Sequence, residues 1–155
     1  MNEIYWQKKA RLRQRVKGLS DLGEKILIVD DSLTILEVLK SVLIEENFRV
    51  ISALDGVSGL ELALQEKPDL IILDMMLPGM NGDEVCKRIK SDDEAKNIPV
   101  VIITAKPDLI DDAQKIKMGA DDYIYKPIDP SLLVRTIRQI LIRRGKNAPG
   151  ESLSS

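Results

Sequence analysis

Five short apolar runs, each followed by a stretch of helical spacing, constrain this 155-residue chain more than any other feature. The runs are Lys25 to Val29 (KILIV), Arg49 to Ala53, Asp69 to Leu73 (DLIIL), Pro99 to Ile103 (PVVII) and Asp122 to Tyr125. Several are apolar throughout rather than alternating, the pattern of strands buried on both faces of a parallel sheet. The intervening segments read as helices over Ser32–Glu46, Val57–Glu66, Asp83–Lys90, Leu109–Met118 and Pro130 to about Arg143. Pro68 closes the second helix, Gly119 serves as C-cap of the fourth, and Asp129 caps the last with Pro130 at its first position. Strand–helix units repeated in this way give a parallel α/β sheet with helices on both faces.

In such sheets ligands sit at the carboxyl ends of the strands, near the point where strand order reverses. The first strand runs into Asp30 and Asp31, the third into Asp74, the fourth into Thr104 and Ala105, and the fifth into Lys126 and Pro127. Aspartate is common at strand ends and lysine in turns, which accounts for one or two of these residues. Carboxylates, a hydroxyl and an ammonium together on one rim need a further reason. Three clustered carboxylates repel and raise one another's pKa, so a cation is expected among them. Lys126 supplies one charge and Mg²⁺, which prefers oxygen ligands, would supply two more. A carboxylate beside Mg²⁺ can attack a phosphoryl group, with the lysine and hydroxyl stabilising its oxygens.

Composition narrows the chemistry. The absence of histidine removes imidazole bases, Ser-His-Asp triads and histidine metal ligands. The single cysteine, Cys86, forbids an internal disulfide, fits a reducing cytoplasm, and reads as a small buried hydrophobe. No apolar run is long enough to span a membrane, and the N-terminus lacks the apolar stretch of a signal peptide. The net charge of -2 points to no partner.

The segments ILIVDDS (26–32), DLIILDMMLPGMNG (69–82), PVVIITA (99–105) and GADDYIYKPI (119–128) resemble, in order and spacing, the four signature segments of the response-regulator receiver family. The resemblance covers residues 25–144 and implies a flavodoxin-like sheet of order 2-1-3-4-5. It implies that Asp74 is the phospho-acceptor and that Asp30 and Asp31 bind Mg²⁺, Asp31 the more directly, with the Met76 backbone carbonyl completing the metal site. It also implies that Thr104 is the switch hydroxyl, Tyr123 the aromatic that moves with it, and Lys126 the phosphate-pairing lysine followed by a cis Pro127. Thr104, Ala105 and Lys126 would contact the phosphoryl group. The implied donor is a histidine kinase or histidine phosphotransfer protein, and the implied output face is helix 4, strand 5 and helix 5, binding a protein target or a second copy. Met76 and Lys106 stand at positions that tune phosphate lifetime in the family, and both are long enough to screen water, so slow dephosphorylation is expected.

Plainer readings accompany these. Tyr123 could be a core aromatic, though its place three residues before Lys126 favours the switch role. Tyr125 reads as a packing residue, Asp55 and Gly56 as turn residues, and Asp92, Asp93 and Glu94 as a solvated loop. Pro78, Gly79 and Gly82 are expected to set the backbone after Asp74 through positive φ. The last helix looks apolar all round (Leu132, Leu133, Val134, Ile137, Ile140, Leu141, Ile142), which suits a docking face.

Residues 1–24 form a basic extension (Lys8, Lys9, Arg11, Arg13, Arg15, Lys17) with weak helical spacing, and 145–155 read as a flexible tail. The extension could pack on the receiver, touch anionic lipid or nucleic acid, or be a linker of a larger regulator; the first is favoured and nucleic-acid binding is not. After Arg144 too few residues remain for an output module, so a stand-alone regulator and an excised receiver both stay open. Two other functions compete. An aspartyl-phosphate phosphatase would carry a second aspartate two residues after the nucleophile, where this chain has Met76. A constitutive scaffold acting through the basic extension would be indifferent to Asp74.

Overall fold

The computed structural model describes residues 3, 4, 7, 23–106, 108 and 110–146. Its elements are β1 (Lys25–Val29), α1 (Leu33–Glu45), β2 (Arg49–Ala53), α2 (Gly56–Glu66), β3 (Leu70–Asp74), α3 (Gly82–Ser91), β4 (Val100–Thr104), α4 (Asp112–Met118), β5 (Asp122–Tyr125) and α5 (Pro130–Lys146). All adjacent strand pairs are parallel, in the order β2-β1-β3-β4-β5. Order therefore reverses between β1 and β3, the pair whose ends carry the aspartates.

The period of two divides each strand between two cores. Ile26, Ile28, Leu70, Ile72, Val101, Ile103 and Ile124 face α1 (Leu36, Leu39, Leu43) and α5 (Leu133, Ile137, Ile140). Leu27, Val29, Ile71, Leu73, Val100 and Ile102 face α2 (Ala63), α3 (Val85, Cys86, Ile89) and α4 (Met118). That double burial is why the strands read as unbroken apolar runs.

Caps fix where the helices start. The Ser32 hydroxyl accepts from Ile35 N (3.3 Å) at the head of α1. Asp55 is not a turn residue: its carboxylate accepts from Ser58 N (2.8 Å) and caps α2, of which Gly56 is the first residue. α4 begins at Asp112, where Asp111 and Gln114 form a capping box; the expected start, Leu109, lies outside the described residues. Gly119 ends it with φ 69°, as expected of a C-cap glycine. Asp129 accepts from Ser131 N (2.9 Å) at the start of α5. α5 runs on to Lys146, so Gly145 and Lys146 belong to the helix and not to the expected tail. Asp92 is likewise more than solvated loop, since its carboxylate accepts from Glu94 N and Ala95 N, both at 2.9 Å.

The expected basic extension lies outside the described residues apart from Glu3, Ile4, Gln7, Gly23 and Glu24, and residues 147–155 lie outside them too. Among the described residues no helix is long and apolar enough to cross a membrane.

Candidate functional site

Asp74 ends β3 and is 4% exposed; Asp30, just past β1, is 1% exposed; Asp31 beside it faces solvent. One carboxylate oxygen from each of the three lies within 4.8 Å of the others. Lys126, just past β5, reaches across the rim: its ammonium donates to Asp74 Oδ2 at 3.2 Å and lies 3.3 Å from Asp30 Oδ2. The Lys126–Pro127 peptide is cis. Asp30 Oδ1 accepts from Ser32 N at 2.8 Å, while Asp30 Oδ2 is buried and makes no hydrogen bond. Asp74 Oδ1 accepts from Met76 N at 3.3 Å.

The charges do not balance. Burial pushes the Asp74 carboxyl above the usual carboxylate range, and the Asp30 charge adds to it, against Lys126 and the Met76 amide. Burial alone would lower Lys126, but the Asp74 and Asp30 carboxylates outweigh it and raise the ammonium. In a solvated, isolated ion pair the acid would be lowered; here burial first, and then the second buried carboxylate, reverse that sign. A donor set made only of oxygens, three carboxylates against the one ammonium of Lys126, fits a hard divalent cation such as Mg²⁺.

Thr104 ends β4 and is 2% exposed, and its hydroxyl accepts from Lys106 N at 3.1 Å. Ala105 and Lys106 follow it on the exposed rim, and Met76 is exposed on the other side. Tyr123 is half-buried on the α2–α4 face of the sheet, its hydroxyl donating to the Lys115 carbonyl at 3.4 Å. Burial pushes that phenol up to about 12. Tyr125 is not a packing residue: it is 45% exposed. In α5, Leu133, Ile137 and Ile140 are core, which leaves Leu132 and Ile142 as its exposed apolar positions.

Cys86 is buried as expected, its thiol donating to the Met118 carbonyl at 3.2 Å and pushed up to about 11 by burial. A thiol moved from 9.0 to about 11 holds roughly a hundredfold less thiolate at pH 8. Native protein is therefore expected to react with a disulfide reagent about 100-fold more slowly than the same chain in denaturant. Comparable rates would place Cys86 at the surface.

Sequence reasoning missed three features. Ser32 supplies the amide that orients Asp30. Gly82 matters for space rather than φ: of the glycines after Asp74 only Gly79 has positive φ, 79°, while a Cβ at Gly82 would lie 2.3 Å from the Asp74 carbonyl oxygen. A cleft of about 330 Å³ lies against α4, lined among others by Met75, Met76, Lys87, Ile110, Gln114 and Met118. Only the Asp-Ser pair 31–32, a common cap signal, could have pointed to the first; no local pattern announces the other two.

A family model described as the response regulator receiver domain matches residues 26–138. The chain is 40% identical over 136 residues to the DNA-binding response regulator MtrA of Mycobacterium tuberculosis, a match covering 88% of this chain and 58% of that protein. It thus spans less than two thirds of this relative's length. A receiver domain protein (CheY-like) from Methanospirillum hungatei is similar in structure, with a TM-score of 0.76 and 29% identity, over 81% of this chain and 99% of that one. The receiver domain of a sensor histidine kinase from Pseudomonas aeruginosa, solved with a magnesium ion coordinated in its active site cleft, is similar with a TM-score of 0.71 and 25% identity, over 77% and 98%.

Proposed function

The chain belongs to the response regulator receiver domain family, and from that premise we propose that it is a phosphorylation-controlled switch whose acceptor is Asp74. One observation carries the proposal: Asp30, Asp31 and Asp74 bring one carboxylate oxygen each within 4.8 Å of one another, two of them buried, with the single Lys126 ammonium between Asp74 and Asp30. A purely structural ion pair would match one carboxylate to one ammonium.

The donor is a phosphohistidine on a kinase or phosphotransfer protein; this chain, having no histidine, only accepts. An Asp74 carboxylate oxygen attacks phosphorus, the P–N bond breaks, and the imidazole leaves with the electron pair. Asp30, Asp31, Asp74 and the Met76 carbonyl would hold Mg²⁺, which supplies positive charge to the transferring oxygens. Lys126, already 3.2 Å from Asp74 Oδ2, pairs with one of those oxygens. The Thr104 hydroxyl donates to a second phosphoryl oxygen, beside the Ala105 amide, and Tyr123 follows. The face of α4, β5 and α5 then changes, where Ile116, Tyr125 and Leu132 are exposed for a protein target or second copy. The chain is not an enzyme in the usual sense, since it turns over only its own phosphoryl group. Met76 in place of a second aspartate disfavours the phosphatase reading.

A specific observation favours a transcriptional output: the MtrA relatives, called DNA-binding response regulators, are matched over 58% of their length. In that setting this domain would gate a DNA-binding module.

With Mg²⁺ and beryllofluoride, which mimics the acyl phosphate, wild type is expected to shift its elution on size exclusion and Asp74→Asn to stay put. Phosphoprotein made with a small-molecule donor is expected to decay over many minutes, given Met76 and Lys106 beside the site. Identical elution of the two proteins would sink the second-copy reading of that face; decay within seconds would remove the screening role of those side chains.

A further inference from the structure

α4 is weakly seated. Of Asp112–Met118 only Met118 is buried, Ile116 is 82% exposed, and Gln114, Lys117 and Met118 line the 330 Å³ cleft whose other side is Lys87 of α3 and Met75 and Met76. Its capping box of Asp111 and Gln114 is internal to the helix and does not tie it to the sheet. The polar contacts from α4 to β5, among the described residues, converge on Lys115. The Lys115 carbonyl accepts from the Tyr123 hydroxyl at 3.4 Å, its ammonium lies 5.3 Å from the centroid of the Tyr123 ring, and the same ammonium donates to the Tyr125 hydroxyl at 3.5 Å. That ammonium makes no ion pair with a carboxylate among the described residues, so its charge is directed at the two aromatics.

We propose that Lys115 is a positioning residue that pins Tyr123 to α4 and sets how readily that ring moves when Asp74 is modified. The proposal rests on the switch role given to Tyr123. A cation over a ring face is attracted by its quadrupole, and the attraction lasts only while ring and helix keep their places. The structure has the Thr104 hydroxyl held by Lys106 N and Tyr123 held by Lys115, so both partners of the switch are engaged by their own neighbours. Removing the Lys115 ammonium takes away the cation over the Tyr123 ring and leaves the bond to the backbone carbonyl, without touching Asp74, Thr104 or Lys126. Met is the suitable replacement, because it keeps an apolar stem and drops the ammonium; Arg keeps the cation.

The test is ¹⁹F NMR on protein labelled with 3-fluorotyrosine, the Tyr123 signal being assigned with Tyr123→Phe, during titration with beryllofluoride in Mg²⁺. In Lys115→Met the Tyr123 resonance is expected to sit part-way toward its saturated position before any beryllofluoride is added, and half-saturation to fall about two- to fivefold. Lys115→Arg should restore both to wild type, and Lys117→Met, which removes a neighbouring charge without these contacts, should match wild type. A Lys115→Met titration that superposes on wild type overturns the proposal. So does an equal effect from Lys117→Met, which would make it one of net charge. A wild-type Tyr123 resonance that ignores beryllofluoride is a different failure: it removes the switch role itself, and this proposal with it.

Discussion

Asp74→Asn is expected to take up no phosphoryl group above background from a small-molecule donor, and at the same time to melt higher than wild type in metal-free buffer. Uptake fails because an amide oxygen is not a nucleophile toward phosphorus. Melting rises because Asp74 is a buried carboxylate beside buried Asp30 with one ammonium between them. Its folded pKa is raised, so the folded state favours the neutral form. The stabilising contribution of that proton is present below the ordinary value of 3.8 and is lost as pH rises through the raised folded value. At neutral pH wild type therefore carries a buried charge, and its repulsion by Asp30, that asparagine does not. Like charges a few ångströms apart at a protein site cost up to several kcal/mol, and Lys126 offsets most of this. A net gain of about 1 kcal/mol, or roughly 3–6 °C, is the expected size. The gap between the two proteins should close as pH is lowered toward 3.8 and should shrink when Mg²⁺ is added, since the cation stabilises wild type more. Differential scanning calorimetry of both proteins across pH, with and without Mg²⁺, measures this. An Asp74→Asn protein that melts lower than wild type at neutral pH without metal would mean that the Lys126 pair outweighs the Asp30 repulsion.

The strands were legible because each strand carries its whole environment in its own residues: apolar on both faces means covered on both faces. The site was legible for a related reason. Parallel strands deliver their carboxyl ends to one edge, so Asp30, Asp74, Thr104 and Lys126 could be placed together without knowing a single distance. What stayed hidden depends on residues far apart in the chain or on side-chain geometry. The spacing of Leu109 and Ile110 suggested an early start for α4, and the capping box at Asp111 sets the start at Asp112. Tyr125 shares a strand face with Tyr123, yet it stands at the end of β5 with only the Lys115 ammonium of α4 reaching its hydroxyl, so it is exposed while Tyr123 is half-buried. Asp55 looked like a turn residue because the same side chain that favours turns also caps helices, and Ser58 decides between them. The contacts of Lys115 follow from how α4 sits over β5, which no periodicity in either segment encodes.

Gly82 shows the same limit and carries a large expected structural effect at the site itself. The chain leaves β3 at Asp74, turns through Pro78 and Gly79, and returns so that the first residue of α3 lies against the strand it left. The Gly82 amide donates to the Met75 carbonyl at 2.9 Å. A Cβ on Gly82 would sit 2.3 Å from the Asp74 carbonyl oxygen and 2.9 Å from Met75 Cα. Those are backbone atoms, so no side-chain rotation relieves the contact, and either α3 or the end of β3 must move. Overpacking of this kind costs about 1–3 kcal/mol and sometimes more. Gly79 is the control. It has positive φ, but a Cβ there meets nothing nearer than Val57 Cγ2 at 3.9 Å, so alanine pays only for backbone strain, about 1–2 kcal/mol. Chemical denaturation should rank Gly82→Ala as the less stable of the two. The sharper difference lies at the site. Gly82→Ala displaces the residue that presents the Asp74 carboxylate, so its affinity for Mg²⁺ should fall at least about tenfold, the loss typical when the support of a metal ligand is disturbed. Gly79→Ala should bind Mg²⁺ nearly as wild type does. Equal Mg²⁺ affinity in the two variants, both folded, would show that the close approach of α3 to β3 has no part in holding the acidic site.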